Sequence, residues 1–248
     1  LVLCTSLIFL SSIPFKYLLA ENIYIGVASN FLKPMKVLKD NFESQNEGQI
    51  FISSGSSGSL YAQIINGASL DIFLSADQDL PKKLEKTTKA ILGTRFTYAT
   101  GKLAAYSTKK FLFSQTFPEI LISNKVRYIG IGKPEYVPYG RAAKEVLKSL
   151  NIFKEISLKL VLSKSVNQVF LMNYFGNLDI GFISKADFLS SNKKGKIWEI
   201  PHNLYSPIKQ DAILLKNGKK KNNAILFLKF LSSKITKEKL KKFGYTYD

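Results

Sequence analysis

The chain has little of what most protein chemistry is built from. Its 248 residues include one cysteine, one histidine, one tryptophan and two methionines. Cys4 stands alone, so no intrachain disulfide can form. With Cys4 in a removable leader, the mature chain has no thiol for catalysis or metal binding. The single histidine, His202, follows Pro201 in a predicted loop and reads as an exposed loop residue. That argues against multi-histidine metal sites and leaves a serine nucleophile without an evident base. Arginine is nearly as scarce, with only Arg95, Arg127 and Arg141. Acidic residues number 18 against 36 lysines and arginines, a formal net charge of +18. A nucleic-acid binder gathers such charge on one face, with arginine and aromatic readers among it. Here the lysines are spread along the chain, densest over 216–221 and 234–242, and read as a solvated surface suited to an anionic envelope. No nucleic-acid partner is expected.

Long apolar runs are missing after residue 20. Leu1–Ala20 is apolar, broken by Lys16, and followed at once by Glu21-Asn22. It reads as a secretory signal peptide cleaved after Ala20, too short and interrupted for a membrane-spanning helix. A lipoprotein cysteine at position 4 is disfavoured by the bulk of Leu3. There are no tandem repeats and no low-complexity linker. Gly-x-Ser-x-Gly and Gly-Lys-Ser/Thr are both absent, so neither a nucleophile elbow nor a P-loop is signalled.

What is present is a regular alternation of strands and helices. Strands are expected at 22–28, 49–53, from 70 to 74, within 95–107, and at 126–130, 158–162, 178–183 and 208–215. Helices are expected from Pro34, over 59–66 and 81–89, after Gly140, and over 167–175, 224–231 and the C-terminus. This predicts an α/β fold with mostly parallel sheets. The loop Gly55-Ser56-Ser57-Gly58-Ser59 follows a strand and precedes a helix. Unpaired N–H groups and serine hydroxyls at such a corner make an anion cradle, although an ordinary serine N-cap would have the same composition. Similar corners stand at Ser29-Asn30, Tyr139-Gly140 and Ser165-Val166. The carboxylate pairs Asp71/Asp77 and Asp179/Asp187 read as caps, strand-end residues or hinge hydrogen-bonders. Tyr136 and Tyr139 leave open a ferric-ion site, and Ser57 or Ser59 a nucleophile.

Three ordered motifs carry a resemblance. They are Val27-Ala28-Ser29-Asn30-Phe31, the run from Ser54 through Ile64 with Asn66-Gly67-Ala68 and Asp71–Asp77, and Gly132–Gly140 with Ala143-Lys144-Glu145. Together with Lys242-Phe243-Gly244-Tyr245 they resemble the periplasmic molybdate-binding proteins of ABC importers, over roughly residues 22 to 248. The resemblance implies a two-lobed periplasmic-binding-protein (Venus flytrap) fold, each lobe a mostly parallel sheet flanked by helices. Residues 1–20 would be the signal peptide, 21–101 the first part of lobe one, 102–205 lobe two, and 206–248 the return to lobe one. The implied ligand is molybdate or tungstate, with sulfate, phosphate or a ferric ion as the alternative. Its contacts would be Ser29, Asn30 and Ser57 from lobe one, and Tyr139, Val166 and Ser184 from lobe two. Asn30 would offer a side-chain donor, and Tyr139 chiefly its backbone N–H. Serine at 184 stands where some members place a tyrosine hydroxyl. No enzymatic activity, cofactor or direct cation site is implied. The expected protein is a periplasmic monomer that hands its ligand to the membrane permease of an ABC transporter.

Overall fold

The structure is a computed structural model that describes residues 21–192 and 194–247; the signal peptide expected over 1–20 lies outside the described residues. Strands and helices alternate. The order is β1 (Ile23–Ala28), α1 (Leu32–Glu43), β2 (Ile50–Gly55), α2 (Ser57–Ile65), β3 (Ile72–Leu74), α3 (Asp79–Glu85) and β4 (Phe96–Gly101). It continues with β5 (Leu103–Ser107), α4 (Glu119–Ile122), β6 (Ile129–Gly132), α5 (Pro138–Ser149), β7 (Leu160–Ser163), α6 (Val166–Tyr174) and β8 (Ile180–Ser184). Last come α7 (Lys185–Leu189), β9 (Lys196–Glu199), β10 (Ile208–Leu214), α8 (Asn222–Ser232) and α9 (Lys234–Lys241).

The strands form two five-stranded sheets, ordered β2-β1-β3-β10-β4 and β7-β6-β8-β5-β9. In the first, β1 runs parallel to β2 and β3, and only β10 is reversed against its neighbours. In the second, β6 runs parallel to β7 and β8, and only β5 is reversed. Each reversed strand belongs to a crossing between the sheets: β5 begins just after Gly101, and β10 brings the chain back. This is the α/β arrangement with mostly parallel sheets expected from the alternation, divided into the two lobes that the resemblance implied. β8 is buried along its whole length, and β1 at every residue but Tyr24. Central strands covered by helices on both faces need such unbroken apolar runs.

Local chemistry explains the helix ends. Gly67, at φ +93°, closes α2: its N–H reaches Ile64 O, and Ala68 N–H reaches Gln63 O at 2.9 Å. Gly176 ends α6 with the same pair of bonds. Both are helix stops that place a residue in the left-handed region, where glycine carries no Cβ penalty. Three boundaries differ from expectation. α1 starts at Leu32, so Pro34 is its third residue, still within the first turn where a missing N–H is tolerated. α2 starts at Ser57, because Ser56 rather than a later serine is the N-cap, accepting from Ser59 N. The two-proline segment 133–140 is not all loop: Pro138 opens α5, and Tyr139 and Gly140 lie in its first turn.

The sheets do not stand apart. One cluster of buried side chains joins Ala28 and Ala76 of the first sheet's corners to Tyr139, Val166 and Ile180 of the second unit. The 3-10 turn Ser29–Phe31 packs against α6 and α7. The C-terminal Tyr245 folds back onto that turn, its ring 5.5 Å from that of Phe31.

Candidate functional site

Four strand-to-helix corners meet where the sheets face each other: Ser29-Asn30 after β1, Ser56-Ser57 after β2, Val137–Tyr139 at the start of α5, and Ser165-Val166 at the start of α6. The first residues of a helix have no carbonyl a turn earlier to bond, so each corner must find partners for its leading N–H groups. In α2, Gly58 N–H goes to Tyr136 O across the cleft at 2.9 Å, and Ser59 N–H to the Ser56 side chain. That leaves Ser57 N–H. In α5, Gly140 and Arg141 bond Val137 O, and Pro138 has no N–H, which leaves Tyr139. In α6, Gln168 is capped by Ser165 Oγ and Val169 bonds Ser165 O, which leaves Val166 and Asn167. The N–H groups of Ser57, Tyr139 and Val166 therefore have no protein acceptor among the described residues. All three residues are buried, at 1, 1 and 2% exposure. Buried donors of this kind call for an acceptor, and the amino ends of helices favour a negative one.

Two side chains add to the donor set. Ser57 Oγ accepts Ala76 N–H at 2.8 Å, which orients the hydroxyl and leaves its proton to give. Ser29 is buried at 8% exposure, and no partner of its hydroxyl is seen among the described residues.

Behind the corners lies a hydrogen-bond network that sequence reading did not foresee. Gln210, wholly buried on β10, sits at its centre. Its Oε1 accepts from Asn30 Nδ2 at 3.0 Å and from Tyr98 Oη at 2.9 Å, and its Nε2 donates to Tyr139 Oη at 3.2 Å. Asn30 Nδ2 also donates to Tyr245 Oη at 3.1 Å, and Tyr245 donates to Asn30 O at 3.0 Å. The side-chain donor expected of Asn30 is thus already engaged twice. In this arrangement Asn30 offers the cleft its place at the head of the turn rather than its carboxamide nitrogen. The polar run Lys209-Gln210-Asp211 inside the otherwise apolar stretch Ile208–Leu215 was the available signal for this network.

Tyr139 and Ser184 are brought together. Ser184 Oγ lies 3.2 Å from Tyr139 Oη and accepts Ala186 N–H at 3.3 Å. Gln210 N–H and Ala186 N–H each enter this pair of hydroxyls, and the hydroxyls share one bond between them. One hydroxyl proton is left over without an acceptor among the described residues. Burial raises the Tyr139 phenol above its ordinary range, so it stays protonated. The phenol also relies on Gly101, where a Cβ would lie 2.0 Å from Tyr139 Oη.

Charge is kept out of this donor set. Arg141 Nη2 instead meets Asp77 Oδ2 at 2.5 Å, joining α5 to the loop after β3, and Arg95 pairs with Glu85 and Asp211. Three of the four carboxylates singled out in the sequence, Asp71, Asp77 and Asp179, accept backbone N–H groups at strand ends and a helix start, whereas Asp187 accepts, among the described residues, only from the Asn167 side chain. Asp77 accepts from Leu80 N at the start of α3, Asp71 from Tyr24 N, and Asp179 from Arg127 N and Tyr128 N. His202 is exposed on a short 3-10 turn. Among the described residues no cluster of three or more histidines, cysteines or carboxylates could hold a metal ion.

Comparison with known proteins agrees with this architecture. Residues 23–246 match the family described as bacterial extracellular solute-binding protein. The molybdate-binding protein ModA of Azotobacter vinelandii is 35% identical over 228 residues, which cover 91% of this chain and 90% of the relative. ModA of Rhodobacter capsulatus is 34% identical over 226 residues, covering 91% and 88%. The solved structure of the Azotobacter vinelandii periplasmic molybdate-binding protein superposes with a TM-score of 0.87 at 35% identity, covering 91% of this chain and 99% of that one. The chain belongs to the bacterial extracellular solute-binding protein family, in the group of the ModA proteins.

Proposed function

We propose that this protein binds molybdate or tungstate between its two lobes, in the periplasm, and passes it to the membrane permease of an ABC transporter. The observation that carries the reading is the set of buried helix-start N–H groups at Ser57, Tyr139 and Val166, which have no protein acceptor among the described residues. Ser29 and Ser57 add hydroxyl donors, Asn30 heads the fourth corner, and the Tyr139–Ser184 pair supplies its surplus proton. A dianion in a closed, dry cleft is held well by such donors, each charge-assisted bond contributing about 1.5–3 kcal/mol. No cation has to touch it, and no cofactor or covalent step takes part, so the protein acts as a binder rather than an enzyme.

The same inventory sets selectivity. Hydrogen phosphate carries a proton of its own, which a set of donors leaves unpaired. Sulfate is smaller than molybdate, so the same donors would reach it only over longer bonds. Molybdate and tungstate are nearly equal in size and are expected to bind alike. The anion bridges corners from both lobes, so its binding makes closure favourable, and the monomer presents the closed shape to the permease.

Calorimetric titration of the purified chain with sodium molybdate, tungstate, sulfate and phosphate tests the reading. One-to-one binding of the two metallates, at least a hundred-fold tighter than of sulfate or phosphate, is the expected result. Equal or tighter binding of sulfate or phosphate would overturn the ligand while leaving the fold intact.

A further inference from the structure

One buried ionisable group beside the site has no role in holding the anion. Asp187 lies in the first turn of α7, three residues beyond Ser184, and is 2% exposed. Its Oδ1 accepts a single hydrogen bond, from Asn167 Nδ2 of α6 at 3.0 Å. Its Oδ2 is buried with no partner among the described residues. Asn167 is the residue after Val166, so the carboxyl stands directly behind one of the anion corners. An unpartnered, buried carboxylate oxygen is costly, and the cost falls away when the carboxyl takes a proton.

The burial is made partly by the other lobe. The turn Ser29–Phe31, which leads into α1, packs on both α6 and α7. From α1, Lys33 reaches over to the Phe170 ring, its Nζ 5.2 Å from the centroid, and lies 3.4 Å from Ser190 O. Lys33 favours ionised Asp187 from there, yet forms no ion pair with it. The other groups that face Asp187 are uncharged: Asn167 from α6, the Tyr139 phenol from α5 and the Tyr245 phenol from the C-terminal turn. On its own helix, Lys185 is taken up by Glu199. Were the cleft to open at this contact, the Ser29–Phe31 turn would leave α7 and water would reach the carboxyl.

We propose that Asp187 is a proton-binding site coupled to the oxyanion site, so that closing on the anion takes up one proton from solution. The inference rests on the proposed oxyanion reading. Burial pushes the Asp187 carboxyl up to about 7 in this closed structure, against the Asn167 bond and Lys33, which both act downwards. In the open form it returns towards the ordinary aspartate value of about 4. The folded, closed state then binds more protons than the open state between those two values. Closure is favoured as pH falls through 7, and the advantage disappears above about pH 8. A dianion next door raises the carboxyl further, and by reciprocity the proton tightens the anion.

The test is calorimetric titration of the wild-type chain with sodium molybdate in pairs of buffers of different ionisation enthalpy. The expected uptake is about half a proton or more at pH 7, with binding at least roughly ten-fold tighter at pH 6 than at pH 8. Asp187→Asn, which can keep the Asn167 bond, should remove both effects, whereas His202→Gln, which removes the exposed imidazole, should not. Binding of molybdate with no proton uptake and no pH dependence would overturn the proposal and leave the ligand reading standing. Failure of molybdate to bind at any pH would overturn both. The buffer comparison needs no variant, so it decides even if Asp187→Asn does not fold.

Discussion

Replacing Ser57 by alanine is expected to weaken molybdate binding between about ten- and a hundred-fold, the equivalent of one charge-assisted hydrogen bond of about 1.5–3 kcal/mol. The size follows from the place of the hydroxyl. Ser57 Oγ is held by Ala76 N–H at 2.8 Å, with the side chain 1% exposed, so its proton has one direction left. Alanine removes that donor and orphans the Ala76 amide, which adds a separate folding cost of about 1–3 kcal/mol. The two effects are separable. Urea unfolding of the ligand-free variant reads the second, and calorimetry on the folded protein reads the first. An unchanged dissociation constant in a properly folded Ser57→Ala protein would remove this corner from the site.

Gly140→Ala should do more damage still, and for a backbone reason. A Cβ at Gly140 would lie 2.0 Å from Gly132 O and 2.5 Å from Gly132 C. No rotamer change relieves a contact with main chain, so the first turn of α5 must move off the end of β6. The adjacent Tyr139 N–H moves with it, and so does the phenol that reaches Gln210 and Ser184. We expect a loss of about 3 kcal/mol or more of stability, at the upper end of overpacking costs, together with loss of measurable molybdate binding. Gly67→Ala is the control. Nothing lies within 4 Å of its missing Cβ, but φ is +93°. It should cost about 1–2 kcal/mol through backbone strain and leave binding unchanged. If Gly140→Ala bound molybdate like the wild type, the close approach of α5 to β6 would not matter to the site.

The architecture was legible because its signals are local. β-branched and apolar runs broken by glycine stops mark strands and helices directly, and Ser165 caps α6, although α2 begins two residues earlier than expected, capped by Ser56. The corners at Ser29, Ser57, Tyr139 and Val166 were readable for the same reason: a helix start advertises itself in the few residues around it. What was not legible depends on pairs far apart in the chain. Asn30 and Gln210 are 180 residues apart, and Asn30 and Tyr245 215, so nothing near Asn30 reveals that its amide is already engaged. Tyr139 was expected to act chiefly through its backbone N–H. Its side chain also enters a space opened by Gly101, at the end of β4, which local pattern cannot connect to a residue in α5. Asp187 belongs to the same class, since a carboxylate in a helix's first turn looks like routine capping until the other lobe is seen to cover it.

The most direct test of the central reading is the position of molybdenum itself, from anomalous diffraction at its absorption edge in crystals grown with sodium molybdate. The account predicts one strong site in the cleft, with the tetrahedral oxygens in hydrogen-bond reach of Ser57 on one side and of the Tyr139 and Val166 N–H groups on the other. A site among surface lysines with the cleft unoccupied would contradict it.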